Sequence, residues 1–436
     1  MSGFFGQGQF LSDTDERIVE NPRVQPSPEE TNAPEAVAAP ECYRMLAILA
    51  ATGLLGMALW FTGSAIAPEL QAHWGLSPSE KAWLTSAVQI GFVVGTAIAA
   101  VLNLADIVSS RSYVSICALG AALCNAGLAI SPNFTAASAC RFGTGMFLAG
   151  VYPPAMKMVA TWFRRGRGLA IGIFVGALAL GKSTPYIVHA FGSWEQVVWI
   201  ASAGALLGAG LTRFGYRDGP YAFPRRAFSW SLVGTIARHR ETRLATGGYL
   251  GHMWELYAMW TWIPVFLLAS TKAWMETSGG HTSESTVSVL AFGAIAVGSL
   301  GCVWGGWAAD RWGRERAVNL AMALSGACAL AAGLVYGLSP WIVWPLLLVW
   351  GFLVVADSAQ FSAIVTEVAP AHAVGTALTL QTSVGFLLTM VTVQGVPWFA
   401  ETFGWRWAFV VLALGPAGGI ASIAKLSRER RARAAT

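Results

Sequence analysis

The chain is 436 residues long, 55% hydrophobic and only 12% charged, with a formal net charge of +5. A soluble domain carries roughly a quarter charged residues, so this composition leaves too little polar surface for a water-soluble globule of this length. The positive balance sits beside long apolar runs, which points to a membrane surface rather than to nucleic acid.

In chain order, the first 41 residues hold eight acidic and two basic side chains, with prolines at 22, 26, 28, 34 and 40. Such a stretch buries too little apolar surface to offset its ordering entropy, so 1–43 is expected to be a disordered tail. It lacks the basic start and short apolar run of a signal peptide. Apolar runs of about twenty residues follow, each long enough to cross about 30 Å of hydrocarbon as a helix. They predict spans 1 to 12 at 44–66, 82–104, 112–131, 135–159, 168–190, 196–214, 244–269, 286–308, 316–337, 341–366, 375–397 and 405–424. Pro68, Pro78, Pro132, Pro340 and Pro370 mark boundaries. Tryptophans 74, 83, 162, 194, 312, 341, 398 and 405 gather near them as an interfacial belt. Cysteines 42, 117, 124, 140, 302 and 328 fall mostly inside spans and form no CxxC pair. They are expected to be small core residues, not disulfides or metal ligands.

Lys and Arg set the expected orientation. Arg44, the even-numbered loops and the final segment carry most of the basic residues, while the opposite loops hold only Lys81, Lys272 and Arg406. Basic loops stay cytoplasmic, so both termini are expected on that side. The connection 213–243 contains seven arginines and separates six spans from six more. The expected organisation is an amino-terminal six-helix bundle at 44–214, a basic cytoplasmic linker at 215–243, a carboxy-terminal bundle at 244–424 and a basic cytoplasmic tail at 425–436. The halves look alike. Asp106 and Arg111 after span 2 answer Asp310 to Arg314 after span 8, Gly168-Leu169-Ala170 answers Gly375-Thr376-Ala377, and Phe191-Gly192 answers Phe403-Gly404.

The run Gly306-Trp307-Ala308-Ala309-Asp310-Arg311-Trp312-Gly313-Arg314-Glu315-Arg316 resembles the loop signature of the major facilitator superfamily, G-x-x-x-D-R-x-G-R-x-R. Asp106 and Arg111 are what this chain keeps of the family's first copy, without its glycines. Arg141-Phe142-Gly143-Thr144-Gly145 resembles the family's R-x-x-x-G element, whose arginine is implicated in proton coupling. The resemblance covers 44–424. It implies an all-α membrane protein of 12 transmembrane helices in two pseudo-symmetric six-helix bundles, the major facilitator fold, with the solute path between the halves. It also implies Asp106, Arg111, Gly306, Asp310, Arg311, Gly313 and Arg314 as gating-loop residues, and a monomer in the bacterial cytoplasmic (inner) membrane. Met253-Trp254-Glu255-Leu256-Tyr257 and Ala356-Asp357-Ser358-Ala359-Gln360-Phe361 resemble stretches of cyanate-like and nitrate/nitrite-like porters. Span 5 has Gly172, Gly176 and Gly181, but Ala177 stands where drug/proton antiporters carry a proline, which argues against drug export.

Ionisable groups deep in a span cost several kcal/mol, so Arg141, Lys182, Glu255 and Asp357 are the first functional candidates. They lie on spans 4, 5, 7 and 10, and in the resembled fold spans 1, 4, 7 and 10 line the central cavity. At a rise of about 1.5 Å per residue, Arg141 and Lys182 fall at similar depth, Glu255 near the midplane and Asp357 in the inner half. The fork of Arg141 suits a carboxylate or similar oxyanion, and Lys182 adds a compact charge. Tyr152, Tyr257, Gln360 and Gln381 complete the expected substrate contacts, with Gln89 as a further polar group. Glu255 or Asp357 is expected to carry a proton, and His252, on the same helix face as Glu255, is either its proton partner or a packed histidine bonded to a backbone carbonyl. The structural alternative is that Arg141 pairs with Glu255 or Asp357 to hold two helices together. Trp260 and Trp262 are either an aromatic wall or ordinary core. Lys157 and Glu367 are expected to snorkel at span ends, and the pairs Gly91/Gly95 and Gly172/Gly176 to permit close helix contact.

These readings describe a secondary active transporter working by alternating access, first of all a proton-coupled symporter of a small organic or inorganic anion. A proton-driven exporter of drugs or metabolites is the alternative, and a transporter-derived membrane sensor a distant one. No clustered nucleophile, metal-ligand spacing or sizeable extramembrane domain suggests an enzyme. No cofactor is expected; the partners are a small-molecule substrate, protons and the lipid bilayer.

Overall fold

In hydrocarbon each backbone N–H and C=O must find its partner within the segment, and a helix alone does this for a single run of chain. The computed structural model describes residues 39–102, 104–163, 167–221 and 229–434, and among them every regular element is helical. The expected acidic tail up to residue 38 and linker positions 222–228 lie outside the described residues.

Among the described residues, ten helical stretches are long and apolar enough to cross a bilayer. Spans 4 and 7 lie outside that set for identifiable reasons. Span 4 is interrupted: Phe134–Leu148 and Tyr152–Ala160 are separate helices, the second opening on Pro153 and Pro154, which lack amide donors. Span 7 lies within the 39-residue helix Arg240–Ser278, which carries His252 and Glu255. Span 10 is also broken, into Pro340–Ala356 and Ser358–Val368, with Asp357 at the joint.

Local chemistry sets the ends. Ser77 and Glu80 form a capping box at the start of span 2, each accepting from the other's amide, at 3.2 and 2.8 Å. Ser193 and Gln196 repeat it at span 6. Two helices extend into segments expected as linker and tail. At about 1.5 Å per residue the helix of span 7 is roughly 58 Å long. It therefore begins inside the segment expected as linker, and Leu414–Ala434 continues through the expected carboxy-terminal tail. Arg240 binds the Glu429 carboxylate at 2.7, 2.9 and 3.1 Å, and Arg433 pairs with Glu241, so paired charges hold both extensions in helix.

Packing follows the internal repeat. Span 1 packs on spans 5 and 6, span 2 on span 4, and span 3 on spans 4 and 6. In the second half span 7 packs on 11 and 12, span 8 on 10, and span 9 on 10 and 12. The halves meet through spans 2 and 11 and through spans 5 and 8, pairs that exchange under the same repeat. Glycine makes the closest crossings: a Cβ on Gly95 would strike the Met146 backbone of span 4, and one on Gly305 the Ala356 backbone of span 10. The result is an all-α membrane fold of two pseudo-symmetric six-helix bundles.

Candidate functional site

Lys182, on the span 5 helix Arg167–Phe191, points from one bundle to the other. Its Nζ donates to the Tyr257 hydroxyl at 2.9 Å. It lies over the rings of Trp260 at 4.8 Å, Tyr257 at 4.9 Å and Trp60 at 5.4 Å. Trp60 belongs to span 1 and the other two rings to span 7, so both halves wall the ammonium. Ring faces attract a cation through their quadrupole, which holds the charge here in apolar surroundings. Among the described residues no carboxylate lies within ion-pair distance of it.

A second tier of rings surrounds the first. Phe386 of span 11 packs against Phe92 at 4.7 Å, Tyr257 at 5.2 Å and Trp60 at 5.4 Å, and Phe61 lies 6.3 Å from Tyr257. On the same spans, the indole nitrogens of Trp60 and Trp260 and the amides of Gln89 and Gln381 are buried with no hydrogen-bond partner among the described residues. Buried polar groups are ordinarily paired, so each of these is a candidate for contact with a solute.

Arg141 lies on the far side of span 1 and is fully buried. Its Nη1 donates to the Leu59 carbonyl at 2.8 Å and to Asn125 Oδ1 at 3.1 Å, its Nε to the Leu84 carbonyl at 3.2 Å, and its Nη2 to the Trp60 carbonyl. Gly63 makes room, since a Cβ there would come 2.9 Å from Nε. These donors face spans 1, 2 and 3, and the pairing with Glu255 or Asp357 weighed from sequence is not formed. Trp60 links the two cations, with its carbonyl on Arg141 and its ring over Lys182.

Glu255 is buried in the other bundle, accepting from Trp350 Nε1 at 2.7 Å and from Ser325 Oγ at 2.8 Å. His252 turns elsewhere. Its Nδ1 lies 2.8 Å from Asp357 Oδ1 and its Nε2 2.8 Å from Ser358 Oγ. The His252–Glu255 partnership weighed from sequence is therefore not formed. Three residues advance about 300° around a helix, and the remaining offset of about 60° aims one side chain at the break in span 10 and the other at spans 9 and 10.

The loop after span 8 turns at Gly313, whose φ of 88° and ψ of 144° suit glycine alone. Arg314 then reaches Glu367 at 2.7 Å and Gln360 at 2.9 Å, while Arg430 reaches Glu315 at 3.0 Å and Glu367 at 3.9 Å. Gln360 is thus joined to this loop instead of the cage, and Glu367 is an ionic anchor instead of a snorkelling group. Arg311 covers the Trp307 ring at 6.0 Å. Asp310 and Gly313 line the same surface cavity as Arg314, and Gly306 faces open space. Arg111 sits in the first turn of Ser110–Gly127, and the side chain of Asp106 lies outside the described residues. Tyr152 opens the second helix of span 4 and is half-buried.

Polar bridges also join the halves at the end away from the basic loops. His189 Nδ1 lies 3.2 Å from Ser288 Oγ on span 8, across the two halves, while its Nε2 pairs with Glu69 of its own bundle. Gln394 of span 11 accepts from Ser79 Oγ at 3.1 Å and donates to Ser86 Oγ at 3.4 Å. Sequence reasoning missed Trp60, Phe61, Phe92 and Phe386 at the cage, and Asn125, Ser325 and Trp350 as partners of buried charge. An aromatic residue in an apolar run carries no local sign of whether it meets lipid or a neighbouring span.

The sequence model described as the Major Facilitator Superfamily matches residues 48–393. The chain is 23% identical over 403 residues to the hexuronate transporter of Escherichia coli (strain K12), covering 85% of this chain and 90% of that one. It is 23% identical to the gallate transporter of Pseudomonas putida, over 62% and 66% of the two chains. The niacin transporter NiaP of Acinetobacter baylyi (strain ATCC 33305 / BD413 / ADP1) is 24% identical, over 60% and 65%. The fold is similar to a bacterial homologue of the human lysosomal transporter Spinster in an inward-facing and occupied conformation. The TM-score is 0.65 at 15% identity, covering 90% of this chain and 98% of that one.

Proposed function

The chain belongs to the major facilitator superfamily as a secondary transporter of a small molecule, and from that premise we propose that it carries a small organic anion together with a proton. The observation that carries this reading is the position of Lys182, an ammonium held by aromatic rings of both bundles with no carboxylate beside it among the described residues. A solute carboxylate supplies the missing counter-charge, and the Tyr257 hydroxyl is placed to share it. Hexuronate, gallate and niacin, the solutes in the relatives' names, are all carboxylic acids, which supports a carboxylate as the anion.

The remaining groups take roles around that contact. Trp60, Trp260, Gln89 and Gln381 offer the solute polar atoms that have no partner among the described residues, and Tyr152 of span 4 is a further contact. Arg141 is a positioning residue, fixing the segment of span 1 that presents Trp60. The His252–Asp357 pair, at the break in span 10, holds the coupled proton, and Glu255 is a second acid of the same bundle. Anion and proton then cross together because Lys182 without its anion and Asp357 without its proton both disfavour the change of state.

The basic loops and both ends of the helical region face the cytoplasm of a bacterium, and the protein works as a monomer. The bridges at His189 and Gln394 close the outer end, while Arg314, Glu367, Arg430 and Glu315 brace the inner loop of the carboxy-terminal bundle. Flux into proteoliposomes tests the reading. An acid-outside pH gradient is expected to drive accumulation of a labelled organic acid, and a protonophore to abolish it. Purified protein that exchanges no organic anion, or that accumulates organic cations instead, would refute it.

A further inference from the structure

We propose that the transported anion is a planar, ring-bearing monocarboxylate, with its carboxylate at Lys182 and Tyr257 and its ring between the aromatic walls of the two bundles. This rests on the anion reading above and narrows it. Trp60, Phe61, Phe92, Tyr257, Trp260 and Phe386 form one connected set, with ring centroids 4.7 to 6.3 Å apart. All six are buried. Five of these contacts join one half to the other: Trp60 with Tyr257 and Phe386, Phe61 with Tyr257 and Trp260, and Phe92 with Phe386.

Rings that bridge two rocking bundles must part as the halves separate. A flat aromatic solute entering between them offers each wall the offset and edge contacts it has lost. A polyhydroxylated acid does not. Near the rings, few polar side chains lack a partner among the described residues: the indole nitrogens of Trp60 and Trp260, which only donate, the amides of Gln89 and Gln381, and the Tyr186 hydroxyl one turn from Lys182. A sugar acid carries several hydroxyls, each both donor and acceptor, and those that face ring surfaces would lose the bonds they make in water.

Equilibrium binding to the full-length protein in detergent tests this. Benzoate, 4-hydroxybenzoate and nicotinate are measured against cyclohexanecarboxylate and galacturonate, all at one pH. At least one of the three aromatic acids is expected to bind about tenfold tighter than either non-aromatic acid. Phe386→Leu or Trp260→Leu is expected to bring that ratio towards one while leaving weak carboxylate binding. Should either substitution prevent folding, the wild-type series decides by itself. Galacturonate or cyclohexanecarboxylate binding as tightly as every aromatic acid would overturn the ring inference and leave the anion reading standing. Binding of nitrate or of an organic cation with none of the five acids would bring down the carboxylate reading, and this inference with it.

Discussion

Arg141 and Glu255, one in each bundle, are buried at equivalent joints. In the amino-terminal bundle Arg141 of span 4 is tied to Leu59 and Trp60 of span 1 and to Asn125 of span 3. In the carboxy-terminal bundle Glu255 of span 7 is tied to Ser325 of span 9 and Trp350 of span 10. Spans 1, 3 and 4 correspond to spans 7, 9 and 10 under the repeat, so one joint is closed by a cation among acceptors and the other by an anion among donors. Lys182 differs from both, because Tyr257 and Trp260 belong to the opposite bundle. Depth in the membrane does not separate these charges. What separates them is whether a charge's partners move with it, and on this reading a charge whose partners belong to the other half is the one available to a solute.

The contrast breaks most sharply at Arg141. Arg141→Leu leaves the Asn125 amide oxygen without its donor and takes the second donor from three helical carbonyls, at a cost of about 3 kcal/mol, read as a lower melting temperature in detergent. Arg141→Lys is not expected to restore it, since a single ammonium cannot span four acceptors. An unchanged melting temperature in Arg141→Leu would erase the distinction between the locked and the shared cation.

Smaller effects sharpen the comparison. Asp357→Asn is expected to lower pH-gradient-driven accumulation about tenfold, the worth of one charge-assisted hydrogen bond, while counterflow without a gradient persists. Wild-type uptake should slow as the external pH rises and the variant's should stay flat; a pH-dependent Asp357→Asn would remove the proton from this pair. Ser288→Ala removes the hydroxyl that meets His189 across the two halves, at the end away from the basic loops. Its expected effect is about threefold faster labelling, by an impermeant maleimide, of a cysteine placed at Ser64, and an unchanged rate would show that this bridge does not hold the end closed. The smallest effect is expected for Glu255→Gln, about 0.5 kcal/mol or less. Its amide oxygen still accepts from Trp350, and the Ser325 hydroxyl can rotate to accept from the new NH₂. Loss of pH-dependent uptake in that variant would transfer the proton from Asp357 to Glu255.

Much of the fold was legible because lipid imposes a simple rule: apolar runs gave the spans, and the Gly306 to Arg316 signature gave the family. The glycine within that signature also had a readable reason, since Gly313 occupies backbone that a side chain cannot take. Less was legible where partners sit on other spans. The sequence singled out Arg141, Lys182, Glu255 and Asp357 as costly charges, but nothing near Lys182 in the chain announces Trp60 or Trp260. The break at Asp357 left no trace in hydropathy. Nor did the arginines at 240 and 433, read as linker and tail, reveal that Glu429 and Glu241 would keep them in helix.

Carboxylate binding to Lys182→Met separates the shared charge from the locked ones most directly. Methionine fills the cage between the same rings without a charge, so the variant is expected to melt within a few degrees of wild type. Affinity for the transported carboxylate should fall about 100-fold, the loss of one desolvated ion pair. A folded Lys182→Met that binds the same acid with wild-type affinity would contradict the assignment of this lysine as the solute's counter-charge.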